Sequence, residues 1–195
     1  MPDGYEQVYL EWIKPLPGEN LKEYAYRMAE QISTDEPFVL AGLSFGGMLA
    51  VEIAKRFHPD KTIIIASIPH HSHLPNYYRK AWQLGMHKII TPAVIRNGVL
   101  VKRLLASESN EDKEVIKRMA MEMDVDFVKW AMQAIVEWES DEELADIIHI
   151  HGTSDRILPF SYTKPSYSIP RGGHLMIFDR AGEINSILEL ILKSH

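Results

Sequence analysis

The sequence predicts an α/β protein, a mostly parallel sheet flanked by helices and interrupted by a helical cap insertion. Three observations carry this. The front half alternates strand and helix patterns, with an apolar strand at 38–43, a helix running to Phe57, and a second strand after it. That second strand, Thr62-Ile63-Ile64-Ile65-Ala66-Ser67, is apolar without alternation, as in a parallel strand buried on both faces. After a long stretch with no strand signal, from 69 to about 140, a strand returns at Ile147-Ile148-His149-Ile150-His151.

Taken in order, Val8-Tyr9-Leu10-Glu11-Trp12-Ile13 reads as a first strand, ended by Pro15 and Pro17-Gly18. Residues 21–32 read as a helix. Leu21, Tyr24, Ala25, Met28, Ala29 and Ile32 share one face, and Asn20 with Glu23 forms a capping-box variant. Pro37 precedes the strand at 38–43, and the helix behind it stops at His58-Pro59. Within the excursion, 111–123 and 125–138 have helical spacing, which suits a cap of about 70–140. Tyr77, Tyr78, Trp82, Trp130 and Trp138 would suit an apolar cleft or pack the cap onto the body. A short strand at 167–169 and a helix from about 181 to 192, with Ile184, Ile187, Leu188 and Ile191 facing in, close the chain.

A chain of 195 residues, 46% of them apolar and 25% charged, fits one globular domain spanning 1–195. A net charge of −6 gives no reason to expect nucleic acid or an anionic membrane as partner. With no cysteine there is no disulfide, thiolate metal site or cysteine nucleophile. No apolar run approaches the ~18 residues of a membrane span. The first residues, Met1-Pro2-Asp3-Gly4-Tyr5-Glu6, lack the basic and apolar regions of a signal peptide, so a cytoplasmic location is expected. No internal repeat is visible.

The chemistry centres on Gly42-Leu43-Ser44-Phe45-Gly46-Gly47, which carries the Gly-x-Ser-x-Gly pattern of a nucleophile elbow. A serine hydroxyl is a weak nucleophile and must be presented to substrate and base together. A sharp strand-to-helix turn does this, with glycines at 42 and 46 expected to remove clashing side chains. The following helix turns free N–H groups toward the site, and the Phe45 N–H would be one oxyanion-hole donor. A base and an acid are then needed. Asp155 lies in the loop after the strand at 147–151, where sites form in open parallel sheets. His174 follows Gly172-Gly173 after the last strand. Ser44, Asp155 and His174 thus stand in the order nucleophile, acid, base. Alone, Asp155 reads equally as a turn former and His174 as a packed loop residue; the joint order makes them site candidates.

With these pieces together the chain resembles the α/β-hydrolase superfamily, in particular small bacterial serine hydrolases of esterase or thioesterase type. The resemblance rests on the elbow, on His151-Gly152-Thr153-Ser154-Asp155-Arg156-Ile157-Leu158-Pro159 and on Gly172-Gly173-His174. It implies Ser44 as nucleophile, Asp155 as acid, His174 as base, and hydrolysis of a small-molecule carboxylic ester or thioester through an acyl-serine intermediate, with no cofactor. The sequence sets no oligomeric state.

The departure from the family is at the front. Family members carry an earlier strand whose glycine-rich loop supplies the second oxyanion donor. Nothing before Val8 matches it, and only seven residues precede that position. The fold is therefore expected to be N-terminally short. Either 8–13 pairs directly with 39–43, or a partner supplies the strand, or the natural protein extends upstream of Met1. Loss of one donor would weaken hydrolysis by about 2.7–4 kcal/mol in the barrier. Two other readings stay open: a non-catalytic or incomplete α/β-hydrolase-like binding protein, and an acyltransferase using the same triad. His70, His71 and His73 form a cluster, but with no acidic or thiol residue nearby they read as a loop at the mouth of the site, and no metal is expected. His149 and His151 read as structural, and Ser67 lacks an elbow setting.

Overall fold

The computed structural model describes residues 4–85, 118, 121–122 and 124–193. Four strands, β1 (Val39–Leu43), β2 (Lys61–Ile65), β3 (Ile147–Gly152) and β4 (Tyr167–Ile169), form one sheet in sequential order. Every pairing is parallel, with Leu43 opposite Ile65 and Ile65 opposite Ile150. The expected α/β architecture is therefore present. The helices are α1 (Leu21–Met28), α2 (Phe45–Phe57), α3 (Asn76–Gln83), α4 (Val125–Val136), α5 (Met176–Asp179) and α6 (Ala181–Lys193). Much of the predicted cap, including most of the helix expected at 111–123, lies outside the described residues. No described helix is long and apolar enough to cross a membrane.

Two apolar clusters sandwich the sheet. On one face α1, α2 and α4 bury Leu21, Tyr24, Met48, Leu49 and Ile53. On the other, α5 and α6 bury Met176, Ile184 and Ile191 against Ile63, Ile65 and Ile150. β2 supplies both clusters with consecutive isoleucines, which is why its sequence does not alternate. The capping box at α1 is formed. Asn20 Oδ1 accepts from the Glu23 N–H and Glu23 Oε2 accepts from the Asn20 N–H, both at 3.0 Å. α2 ends as expected, with His58 in the left-handed region at φ 48°.

The segment 8–13 corrects the expectation. It is not a strand and does not pair with β1, so β1 is an edge of the sheet among the described residues. Its backbone is satisfied by side chains of α1 and the turn behind it. Tyr24 Oη donates to Ile13 O at 2.8 Å and accepts from the Ile13 N–H, while Gln31 exchanges two hydrogen bonds with the Glu11 backbone. At Glu11 and Ile13 local side chains thus take the place of a ladder. Val8, Tyr9 and Trp12 consequently remain exposed.

The end of the helical excursion is tied to α2 through a buried polar cluster. Glu52, 1% exposed, accepts from Trp138 Nε1 and Lys55 Nζ, both at 2.8 Å. Lys55 Nζ also donates to Ser140 Oγ. Removing the carboxylate strands a nearly buried ammonium and an indole N–H. A Glu52→Leu substitution is expected to lower unfolding free energy by about 3 kcal/mol, read from the urea midpoint at constant slope.

Candidate active site

Ser44 stands between β1 and α2 with φ 52° and ψ −119°. A residue with a Cβ in this region is strained by roughly 1–3 kcal/mol and persists only where its surroundings fix it. Three contacts do so. The Ser44 N–H donates to Ile65 O at 2.9 Å, the Gly47 N–H donates to Ser44 O at 2.9 Å, and Ser67 Oγ donates to Ser44 O at 2.7 Å. Ser67, fully buried and not a nucleophile candidate, is therefore part of the elbow's support, a role its sequence setting did not reveal.

Close approach requires glycine at positions that differ partly from those expected. A Cβ on Gly42 would lie 2.2 Å from Gly46 O, and one on Gly47 would lie 2.5 Å from Ser67 Oγ. A Cβ on Gly46 would meet nothing. The steric need therefore falls on Gly42 and Gly47, with Gly46 contributing the backbone that Gly42 must clear.

Asp155 and His174 arrive from two loops stitched together by hydrogen bonds, two of them backbone to backbone. The Ser154 N–H donates to Gly172 O at 2.9 Å, the Thr153 N–H to Ile169 O at 3.0 Å, and the Arg171 N–H to Thr153 Oγ1 at 2.8 Å. A Cβ on Gly152 would sit 2.3 Å from Gly172 O, so β3 ends on glycine where the second loop crosses it. The result is a continuous line. Ser44 Oγ lies 2.8 Å from His174 Nε2, and His174 Nδ1 lies 2.8 Å from Asp155 Oδ2. A carboxylate oxygen accepts, so His174 carries its proton on Nδ1 and offers Nε2 as the acceptor for the serine hydroxyl. Asp155 Oδ1 is held by the N–H groups of Ile157 and Leu158 at 2.8 and 2.9 Å. Both Asp155 and His174 are buried. The structure brings together all three residues singled out from the sequence. Phe45 is the first residue of α2, where an N–H has no helical acceptor.

The family model for the thioesterase domain matches residues 17–158. The chain belongs to the thioesterase domain family. This thioesterase-domain chain is accordingly a hydrolase of the ester and thioester class. Its fold is similar to that of a thermophilic esterase from Thermogutta terrifontis (TM-score 0.68, 17% identity, covering 90% of this chain and 72% of that one). It is also similar to a bromoperoxidase from Bacillus anthracis (TM-score 0.65, 18% identity, 89% and 73% covered). A third likeness is to a meta-cleavage product hydrolase from Pseudomonas fluorescens (TM-score 0.61, 14% identity, 100% and 75% covered). No curated protein matches the chain.

The remaining histidines divide into two groups. His70 Nε2 lies 3.0 Å from Ser140 O, the Ser140 N–H donates to His71 Nδ1 at 3.1 Å, and His73 Nε2 lies 3.3 Å from Glu143. These three residues thus hold the segment that leads into β3. His149 and His151 are buried on one face of β3. Burial, with smaller contributions from His151 and His73, pushes the His149 imidazole down to about 3; burial likewise lowers His151. The unfolded chain therefore takes up a proton near the ordinary pKa of ~6.5 while folded His149 does not. Stability is fully present above that pH and is lost as pH falls toward 3, by about 1.4 kcal/mol per unit below the unfolded value. In urea unfolding between pH 7 and 5, His149→Leu is expected to show a shallower fall in stability with acid than the parent chain.

Proposed function

We propose that this thioesterase-domain protein hydrolyses a small-molecule ester or thioester through an acyl-Ser44 intermediate, with His174 as general base and acid and Asp155 as its orienting partner. The observation that supports this most is the unbroken line from Ser44 Oγ through His174 to Asp155, with both contacts at 2.8 Å. In the acylation step Ser44 Oγ attacks the carbonyl carbon while its proton passes to His174 Nε2. Negative charge collects on the carbonyl oxygen, where the Phe45 N–H and the positive end of α2 lie on hand. The tetrahedral species collapses by expelling an alkoxide or thiolate, which takes the proton from His174. Water then enters, gives a proton to His174 and attacks the acyl-serine. A second collapse frees the acid and returns the proton to Ser44.

An apolar acyl group fits the surroundings of the nucleophile. The Phe45 ring, next to Ser44 in the chain, stacks on Trp12 at 6.1 Å and meets Phe127 and Trp130 at 6.3 and 5.9 Å. Trp12 is more than half exposed, so this cluster offers a partly open aromatic face beside the elbow.

A fluorophosphonate probe is expected to label Ser44 in the parent chain and to leave Ser44→Ala unlabelled, as read by peptide mass spectrometry. An unlabelled parent would refute the reading. Asp155→Asn, which turns a pure acceptor into a group that also donates, favours the wrong His174 tautomer. It is expected to cut kcat on a short aryl thioester by a factor on the order of 10⁴ with the fold retained.

A further inference from the structure

The polar line through the site continues beyond Asp155. His151, fully buried, points its Nε2 at Leu158 O at 2.8 Å, and the same nitrogen stands 3.5 Å from Asp155 Oδ2. A carbonyl oxygen only accepts, so this nitrogen carries the proton. His151 Nδ1 is then an acceptor, and it lies 3.0 Å from His149 Nε2, which must donate. Two imidazoles two residues apart on one strand face thus run head to tail with a fixed sense, His149 to His151 to the Asp155 loop.

Asp155 sits where this matters. An ionised carboxylate has about four lone-pair sites. Oδ1 fills two with the Ile157 and Leu158 N–H groups, and Oδ2 fills one with His174 Nδ1. His151 Nε2 stands 3.5 Å from Oδ2, and its hydrogen bond is to the carbonyl of Leu158, whose own N–H holds Oδ1. One ring therefore braces both the carboxylate and the loop that grips it. Ordinary packing would be served by an apolar side chain here. Two buried imidazoles carry a desolvation cost, and His149 Nδ1 is left without a hydrogen bond.

We propose that His151, oriented by His149, is a positioning residue for the proposed acid Asp155, fixing the carboxylate so that His174 stays aligned on Ser44. The proposal rests on the acyl-Ser44 reading. The groups facing the pair are Asp155 from the loop after β3, His174 from the loop after β4 and His73 from the turn after β2. The neutral His151 N–H withdraws charge from Oδ2. Without it Asp155 holds protonated His174 more tightly, so more alkali is needed to free the base.

In kcat/KM profiles on a short aryl thioester, His151→Phe is expected to lower kcat about tenfold to a hundredfold. KM should stay near the parent value and the acid limb should move to higher pH. His151→Gln, which restores an N–H donor, should recover most of kcat and return the limb. A variant-free reading comes from ¹⁵N resonances of the parent protein. His151 should show a protonated Nε2 and a bare Nδ1, and its Nε2 shift should follow the titration of His174. An unchanged kcat and acid limb in His151→Phe would overturn the proposal. So would an Nε2 shift blind to His174, which decides the matter where the phenylalanine variant does not fold. Failure of fluorophosphonate to label Ser44 would instead overturn the acyl-serine reading, while the resonance experiment still reports on the His151–Asp155 coupling.

Discussion

The backbone of Ser44 is the constraint on which the site depends. A residue with a side chain is held at φ 52°, where few such residues rest, and the contacts that hold it come from β2 and α2. The Ile65 carbonyl takes its N–H, and the Ser67 hydroxyl and the Gly47 N–H take its carbonyl. From that turn the Ser44 hydroxyl reaches His174 Nε2 at 2.8 Å. Gly42 and Gly47 are consequences of the same constraint, since a methyl group at either position would press against backbone or against Ser67.

Asp155 and His174 depend on a second constraint, the register of a parallel sheet. β3 and β4 end at the same level, so the loops leaving them run side by side and can exchange backbone hydrogen bonds. Asp155 and His174 are 19 residues apart in the chain but are fixed relative to each other by that stitching. Burial then makes each hydrogen bond count for more, because no water competes, and makes every unfilled lone pair costly. The Asp155 carboxylate meets this by collecting donors from its own loop and from His174.

Much of this was legible in the sequence because it depends on short-range pattern. The capping box, the isoleucine run of β2, the elbow and the order Ser44, Asp155, His174 are all local signals or simple sequences of them. The segment 8–13 was not legible as it stands. Its apolar and aromatic residues have strand propensity, but a strand exists only where a neighbour offers a ladder, and Tyr24 and Gln31 satisfy this backbone instead. The steric role of Gly47 escaped because it depends on Ser67, twenty residues on in the bend after β2. The histidine line was half visible. His149 and His151 alternate, so they share a face, and Asp155 lies four residues further; only the fold shows that the turn brings His151 back onto that carboxylate.

With the strand pattern at 8–13 lying off the sheet, β1, the strand that leads into Ser44, stands at the margin of the described sheet. An edge strand receives ladder hydrogen bonds from one side only, which ordinarily leaves it the least constrained part of a sheet. Here the most demanding backbone position of the molecule is attached to such a strand. The compensation comes from packing on the helical face. Leu40 is buried in one cluster with residues of α1 and α2, and the half-buried Phe45 ring packs against Phe127 and Trp130 of α4 and against Trp12. Trp130 is in turn pressed to Tyr24 at 4.4 Å, with its indole N–H on Glu19 O. Tyr24 is the same residue that holds the Ile13 backbone. A single aromatic stack therefore ties the front segment, α1, α4 and the residue after Ser44 together. The elbow is supported by hydrogen bonds from β2 and the turn after it and by aromatic area on the helical face. The rigidity of the Ser44 turn is thus shared between two kinds of interaction, directed hydrogen bonds and aromatic contact area.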